Sequence, residues 1–340
     1  MTPTIKQVAE RAGVSTATVS RALSGSRTVS PELTSRIVSA VEELGYSSNV
    51  IASSLRRRRS DTIGMVVPDL ANPFFTALVQ NVDHELARRG WQVLLCDAQT
   101  DSTVEAQRLT SLIERQVDGI IISPTNEWES APAVRSAAAK VPVVQIDRRA
   151  RDTDTDWVGI DDDYSQGLIV SHLRQLGVAT VAFISATPTD SSSELRQAGF
   201  FRHAEKQNLS IIPELVLLGD YSLEWGVESG RIVLASPHRP AAVVCGNDLI
   251  ALGVLKACRD AGVSVPADIV VTGFDDIPFA ALSTPALTTI AQPLEDIALE
   301  GVRLLAQAIE GSRHSATVRS SLGSKLVVRE STVRVDPGPL

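Results

Sequence analysis

The spacing of apolar residues changes character about sixty residues into the chain. Up to Leu44 they recur at helical intervals: Val8, Ala9 and Ala12, then Val19, Ala22 and Leu23, then Leu33, Ile37, Val38, Val41 and Leu44. The pattern predicts three short amphipathic helices. Gly13 stands where the first helix ends and a positive φ is wanted, and Ser15 is placed to cap the free N–H groups of the second. Small Ala9 lets the second helix cross close to the first. Ser30 and Pro31 open the third helix, and Gly45 ends it. Two helices joined by the tight turn Gly13-Val14-Ser15 read as a helix-turn-helix, a unit that sets its second helix in the DNA major groove. An ordinary αα-hairpin is the structural alternative. Residues 49–61, NVIASSLRRRRSD, read as a short weak helix followed by four arginines, too short to be stable alone in water, with a solvated linker as the alternative.

From Thr62 the apolar residues come in short unbroken runs: TIGMVVP (62–68), WQVLLCD (91–97), DGIIISP (118–124), VPVVQID (141–147) and WVGID (157–161). Helical patterns near 75–89 and 102–115 separate them. The rhythm then restarts, with helices near 163–176 and 193–207 and strands at 181–185 and near 215–218, 241–245 and 269–274. Continuous Val- and Ile-rich runs alternating with helices mean parallel sheets covered on both faces. The expected fold class is α/β: an all-α headpiece over 1–47, a hinge over 48–61, and two doubly wound lobes within 62–340. Ligands of such sheets bind beyond the carboxyl ends of the strands, where two facing lobes share a cleft.

Charge sharpens the division. Residues 1–60 hold nine Lys/Arg against four Glu, a surplus of +5, so with the whole chain at −8 the remainder carries −13. A basic head on an acidic body focuses phosphate attraction at one end. The opening MTPTIKQVAE has no apolar signal segment and no later run reaches membrane-spanning length, so a cytoplasmic protein without membrane partners is expected. Cys96, Cys245 and Cys258 lie far apart inside apolar runs, which suggests reduced, buried thiols. No GxGxxG, GxxxxGK[ST] or HExxH run occurs, and His84, His172, His203, His238 and His314 lack ligand spacing. Neither catalytic residues, a metal nor a cofactor is expected.

The head TIKQVAERAGVSTATVSRALSGSRTVSPELTSRIVSAVEELGY is followed in order by TIGMVVPDLANPFF, VDGIIISP, VVQIDRR, LRQAGF, CGNDLIALG, VPADIVVTGFDD and PALTTIAQP. Over nearly the whole chain this set resembles the lactose-repressor (LacI/GalR) family of bacterial transcription regulators. The resemblance implies a homodimer on a palindromic double-stranded DNA operator and a core related to periplasmic sugar-binding proteins. It further implies lobes that exchange strands, an N-lobe of about 62–161 and 291–319 and a C-lobe of about 162–290 and 320–333. No heptad repeat follows Val335, so a coiled-coil tetramer is not expected.

On the family pattern Thr16 and Ala17 open the recognition helix and Arg21 lies one turn on. Arginine suits the paired acceptors of guanine, with a phosphate contact as its alternative, while the Ala17 methyl offers only apolar contact. Ser15, Thr18 and Ser20 are assigned to phosphates, and Thr4, Asn49 and Ala52 also fall at DNA-contact positions. Leu55 takes the place of the leucine that the family wedges into the minor groove, where it unstacks a base step. Ser53 departs from the arginine of many relatives.

The implied effector site comprises Asn72, Phe74, Phe75, Ser123, Asp147, Arg148, Arg196, Tyr221, Asn247, Asp275 and Gln292. Carboxylates accept from hydroxyls, arginines donate to them, and aromatic rings stack on apolar C–H faces, a mixture that suits a neutral polyol. The set is similar to the ribose-binding branch of the related binding proteins, except that Ser123 replaces an asparagine. The expected effector is a pentose, with ribose or a ribonucleoside leading. Capping roles for Asp147 and Asp275, and packing for Phe75, are the structural alternatives. Rival readings are a corepressor- or partner-protein-dependent regulator with a non-sugar effector, a transport-linked sugar-binding protein, and an enzyme.

Overall fold

The structure, a computed structural model, describes residues 3–24, 29–46, 59–312 and 316–333. The chain forms two compact units, Met1–Ser60 and Asp61–Leu340.

The first unit contains α1 (Ile5–Ala12), α2 (Thr16–Ser24) and α3 (Pro31–Leu44). Val8, Ala9, Ala12, Val19, Ile37 and Ala40 form its buried centre, with Ala22, Val41 and Leu44 packed at the edge. The side chain of Leu23 lies outside the described residues. Val38 departs from the expected stripe and is 44% exposed. On α3 the inward face is taken by Ile37 and Ala40, and a core this small leaves the neighbouring flank in water.

The second unit opens with a six-stranded, all-parallel sheet in the order β11-β5-β4-β3-β1-β2. Its strands are β1 (Thr62–Val67), β2 (Gln92–Asp97), β3 (Gly119–Ile122), β4 (Val143–Ile146), β5 (Asp156–Ile160) and β11 (Arg319–Leu322). Helices α4 (Pro73–Ala87), α5 (Ser102–Glu114), α6 (Ala131–Ala138) and α12 (Leu294–Ile309) cover it. Strands β1, β3, β4 and β5 are buried along nearly their whole length, which is why they read as unbroken apolar runs.

The second sheet is also parallel, in the order β7-β6-β8-β9. It comprises β6 (Thr180–Ala186), β7 (Ser210–Gly219), β8 (Ala242–Cys245) and β9 (Val270–Thr272), with α7 (Asp162–Gln175), α8 (Ser191–Lys206), α9 (Leu223–Ala235), α10 (Asp248–Asp260) and the short α11 (Pro278–Leu282). Strand β7 is longer than its apolar core suggests, and its register against β6 shifts between Val181 and Phe183. Helices α9 and α10 approach closely because Gly226 and Gly253 lack side chains: a Cβ at Gly226 would strike the Ile250 carbonyl oxygen. Cys245 and Cys258 are buried here, whereas Cys96 on β2 is only half-buried, and all three are free thiols.

The chain passes between the sheets three times, after β5, after β10 (Thr289–Ala291) and after β11. Strand β10 pairs antiparallel with β12 (Lys325–Val327), and Ser331 then binds back to Val271 and Ala286. Helix α12, although late in sequence, packs on α4 and on strands of the first sheet. Among the described residues no helix is long and apolar enough to cross a membrane, and no cluster of His, Cys, Asp and Glu could hold a metal ion.

Candidate functional sites: the headpiece and the inter-lobe cleft

The headpiece is built from its caps. Thr4 and Gln7 form a reciprocal capping box on α1, so the Thr4 hydroxyl and amide are engaged locally. Gly13 ends α1 at φ 64°, and its N–H reaches the carbonyls of Ala9 and Glu10. Two residues later the Ser15 hydroxyl accepts from the Thr18 amide at 3.1 Å and shares a hydrogen bond with the Thr18 hydroxyl at 2.9 Å. This cap aims the start of α2 outward. Ser15, Thr16, Ala17 and Arg21 are exposed, Thr18 and Ser20 are half-buried, and Val19 beneath them is fully buried. The Arg21 Nε donates to the Ala17 carbonyl at 3.2 Å, which lays the arginine along the same outer face. The geometry supplies a helix N-terminus with free donors and a guanidinium one turn further, the chemistry needed at base edges and phosphates. Asn49, Ala52 and Leu55 lie outside the described residues.

In the second unit the expected effector residues follow the carboxyl end of a strand or begin the next helix, except Arg196, which lies in the second turn of α8 rather than at its start. From the first sheet come Asn72, Phe74 and Phe75 at the start of α4, Ser123 after β3, and Asp147 and Arg148 after β4. From the second come Arg196 on α8, Tyr221 after β7, Asn247 capping α10 and Asp275 after β9. Gln292 follows β10. Nine of these residues, Asn72, Phe74, Phe75, Asp147, Arg148, Arg196, Tyr221, Asn247 and Asp275, line one narrow cleft, together with Ser192. Ser123 and Gln292 stand behind that wall. The Ser123 hydroxyl donates to Asp147 Oδ2 at 3.3 Å, and Gln292 Nε2 donates to Asp275 Oδ1 at 2.9 Å. Both therefore orient an aspartate.

Two buried arginines organise the charge. Arg148 lies 3.3 Å from Asp190 and 3.9 Å from Asp147, with its guanidinium 5.4 Å from the ring centres of both Phe75 and Tyr221. Arg196 Nε donates to Asp162 at 2.9 Å, Nη1 to the Gly246 carbonyl at 3.0 Å, and Nη2 lies 3.4 Å from Asp275. Its guanidinium stacks 3.7 Å above Phe274. Burial opposes both positive charges, but Asp190 and Asp147 around Arg148, and Asp275 and Asp162 around Arg196, outweigh it and hold both guanidinium pKa values high.

Four carboxylates surround these two cations, so the carboxylates bear the cost of burial. Desolvation pushes Asp147 up to about 7 and Asp162 to about 6, and raises Asp275, in each case against the pull of the arginines. Burial likewise pushes the Tyr221 phenol up. Among the described residues the Tyr221 hydroxyl and Gln292 Oε1 are buried without a hydrogen-bond partner. Asn72 and Asn247 spend their Oδ1 atoms capping α4 and α10, on the amides of Phe74 and Ile250. Asp147 and Asp275 have positive φ, 60° and 106°, which turns their side chains out of strand geometry at the sheet ends.

Sequence reasoning missed Ser192, Asp162 and Asp190. The last could have been found: Asp190 opens the run DSSS and caps α8 with a capping box to Ser193. Asp162 carries no such signal, since its partner Arg196 is 34 residues away.

Comparison with known proteins agrees with this architecture. Residues 4–49 match the family described as bacterial regulatory proteins, lacI family, and residues 170–332 match a periplasmic binding protein-like domain. The ribose operon repressor of Escherichia coli (strain K12) is 33% identical over 294 residues, covering 86% of this chain and 89% of that protein. The HTH-type transcriptional repressor PurR of Mannheimia succiniciproducens is 30% identical over 335 residues, covering 98% and 99%. Among solved structures, the lac repressor dimer bound to operator and the anti-inducer ONPF matches with a TM-score of 0.88 at 27% identity, covering 98% of this chain and 100% of that one. The named relatives are transcriptional repressors rather than enzymes, and the chain belongs to the lacI family of bacterial regulatory proteins.

Proposed function

We propose that the protein represses transcription as a homodimer on a palindromic operator and is controlled by a small neutral sugar, a pentose, in the cleft of its core. The observation that carries the effector assignment is the cleft's charge balance. Among the described residues Asp147, Asp162, Asp190 and Asp275 surround Arg148 and Arg196, a surplus of carboxyl oxygens suited to hydroxyl donors that leaves both guanidiniums already paired rather than free for a phosphate. Phe75 and Tyr221 offer apolar faces to a sugar's C–H groups. The Tyr221 hydroxyl and Gln292 Oε1 are polar atoms awaiting partners in or beside the cleft. The similarity to the ribose operon repressor supports the same class.

A ligand bridging the lobes favours their closed arrangement, and repression responds only as far as closure and DNA binding share one equilibrium. A coupling of ~1–3 kcal/mol, or about 5- to 150-fold in operator affinity, suffices for a switch, with release of DNA as the proposed direction. A thermal-shift screen against pentoses, hexoses, ribonucleosides and their phosphates tests the assignment. Ligand at about 100 times its dissociation constant adds roughly 2.7 kcal/mol, a shift of several degrees. Ribose is expected to shift the transition and weaken operator binding. A response only to phosphorylated sugars or to purines would overturn it. The second reading, a corepressor of the purine class, is favoured only by the similarity to PurR repressors, and the same screen decides it.

A further inference from the structure

Outside the cleft, the loop that returns the chain from β4 to β5 gathers a second concentration of charge. Arg149, Arg151 and Arg319 line an open concavity of about 510 Å³ together with Glu127, Ala150 and Asp152. Two of the guanidiniums rest on indole rings, Arg149 at 5.5 Å from the centre of Trp157 and Arg151 at 4.2 Å from that of Trp128. Such stacking restrains the guanidinium plane and leaves its N–H edge for other acceptors. Glu127 neutralises Arg151 at 3.1 Å, with Glu194 at 4.0 Å. Among the described residues neither Arg149 nor Arg319 has a carboxylate within ion-pair distance. Asp152 lines the concavity too, with the Arg135 Nη1 donating to its carbonyl at 3.2 Å, and the buried Asp156 accepts from the Val318 amide, next to Arg319. A preorganised, incompletely neutralised group of arginines on a strongly acidic core is a place where an anion gains more than it does elsewhere on that surface.

We propose that this concavity is a second ligand site, for a small dianion of the phosphate-monoester class. Planar guanidinium forks match phosphate oxygens two at a time. Glu127, Glu194 and Asp152 beside the arginines disfavour an extended polyanion. The site is also wired to the lobe junction. The Arg149 amide donates to the Ser191 hydroxyl in the opposite lobe at 3.0 Å. The Arg151 amide donates to the Glu127 carbonyl at 2.7 Å, and the Glu127 amide to the Thr189 carbonyl at 2.9 Å. Arg148, the neighbour of Arg149, faces the cleft. An anion on Arg149 and Arg319 therefore acts on a loop of the first lobe that is hydrogen-bonded to the second, and its binding and that of the cleft ligand bias one another. None of this depends on which effector the cleft takes.

The test is a titration of the full chain with inorganic phosphate at fixed ionic strength, balanced with chloride and followed by tryptophan fluorescence. Two of the chain's four tryptophans flank the site. The expected result is a saturable change that weakens about tenfold in Arg149→Gln and in Arg319→Gln, the loss typical of one charged hydrogen-bonding partner. Phosphate also stabilises folded proteins by exclusion from their surfaces. Melting temperatures of the wild type and the double variant are therefore compared at equal phosphate, and only the difference counts. Arg319 is exposed, so Arg319→Gln decides alone if an Arg149 variant fails to fold. No saturable change, or one untouched by either substitution, overturns the site. A signal removed by Arg196→Gln but not by the other two overturns it as well, by placing phosphate in the cleft.

Discussion

Replacing Asp147 with asparagine should make the core less sensitive to alkaline pH while weakening its hold on a sugar. Asp147 is buried, accepts a hydrogen bond from Ser123, and has Arg148, Arg196, Asp162 and Asp275 as its charged neighbours. Burial is the largest influence and pushes its pKa from 3.8 to about 7. Between those values the native chain keeps a proton that the unfolded chain has released. The stability this proton contributes is thus complete below about pH 4 and is lost as pH rises through about 7. A three-unit displacement at ~1.4 kcal/mol per unit makes the whole loss about 4 kcal/mol, of which roughly 2–3 kcal/mol falls between pH 5 and pH 8. Asparagine has the shape of the protonated acid and no charge to bury. The advantage of Asp147→Asn over wild type should therefore grow by that amount across the interval. Asp162, pushed up to about 6, contributes a slope of the same sign to both proteins. Urea unfolding of each at several pH values, with equal m-values, measures the difference. Parallel stability profiles, or a gap that narrows with rising pH, would refute the reasoning.

Three further outcomes follow from named contacts. Arg196→Met leaves Asp162 and Asp275 buried without their cation and should cost about 3–5 kcal/mol by calorimetry; a loss under about 1 kcal/mol would mean that the carboxylates are already neutral. Ile37→Ala, at the fully buried centre of the headpiece, should cost about 2–5 kcal/mol. Its dispersed headpiece NMR signals and operator binding should vanish, while effector-induced shifts of the core persist. Arg21→Ala should cost about 1–3 kcal/mol and relax preference at one base pair. Uniform weakening over all sequences, with a shallower salt dependence, would reassign Arg21 to a phosphate.

Much of this architecture is written in local pattern. Runs such as GMVV and GIII announce buried parallel strands because both faces are covered, and Gly13, Ser15, Ser30, Pro31 and Gly45 mark the headpiece helix ends by backbone preferences that need no tertiary partner. Cleft residues beginning helices or following strands were legible for the same reason. What escaped was decided at a distance. Asp162 matters through Arg196, Asp190 through Arg148, and Ser123 through Asp147 rather than through the cavity itself. Val38 has the right spacing but sits on the exposed flank of α3. Strands β10 and β12 are three residues each, too short for any periodicity, and exist because each pairs with the other.

The threefold passage of the chain between the lobes has a consequence for how the protein is made. The headpiece is contiguous and emerges first, so it can fold while the rest is still being synthesised. The first sheet, begun at Thr62, obtains its covering helix only at Leu294–Ile309 and its edge strand only at Arg319–Leu322. A ribosome that stalls between these points releases a DNA-reading unit tethered to a core that cannot close. Such a fragment could not answer to any effector, so the order of synthesis makes regulation the last property the chain acquires.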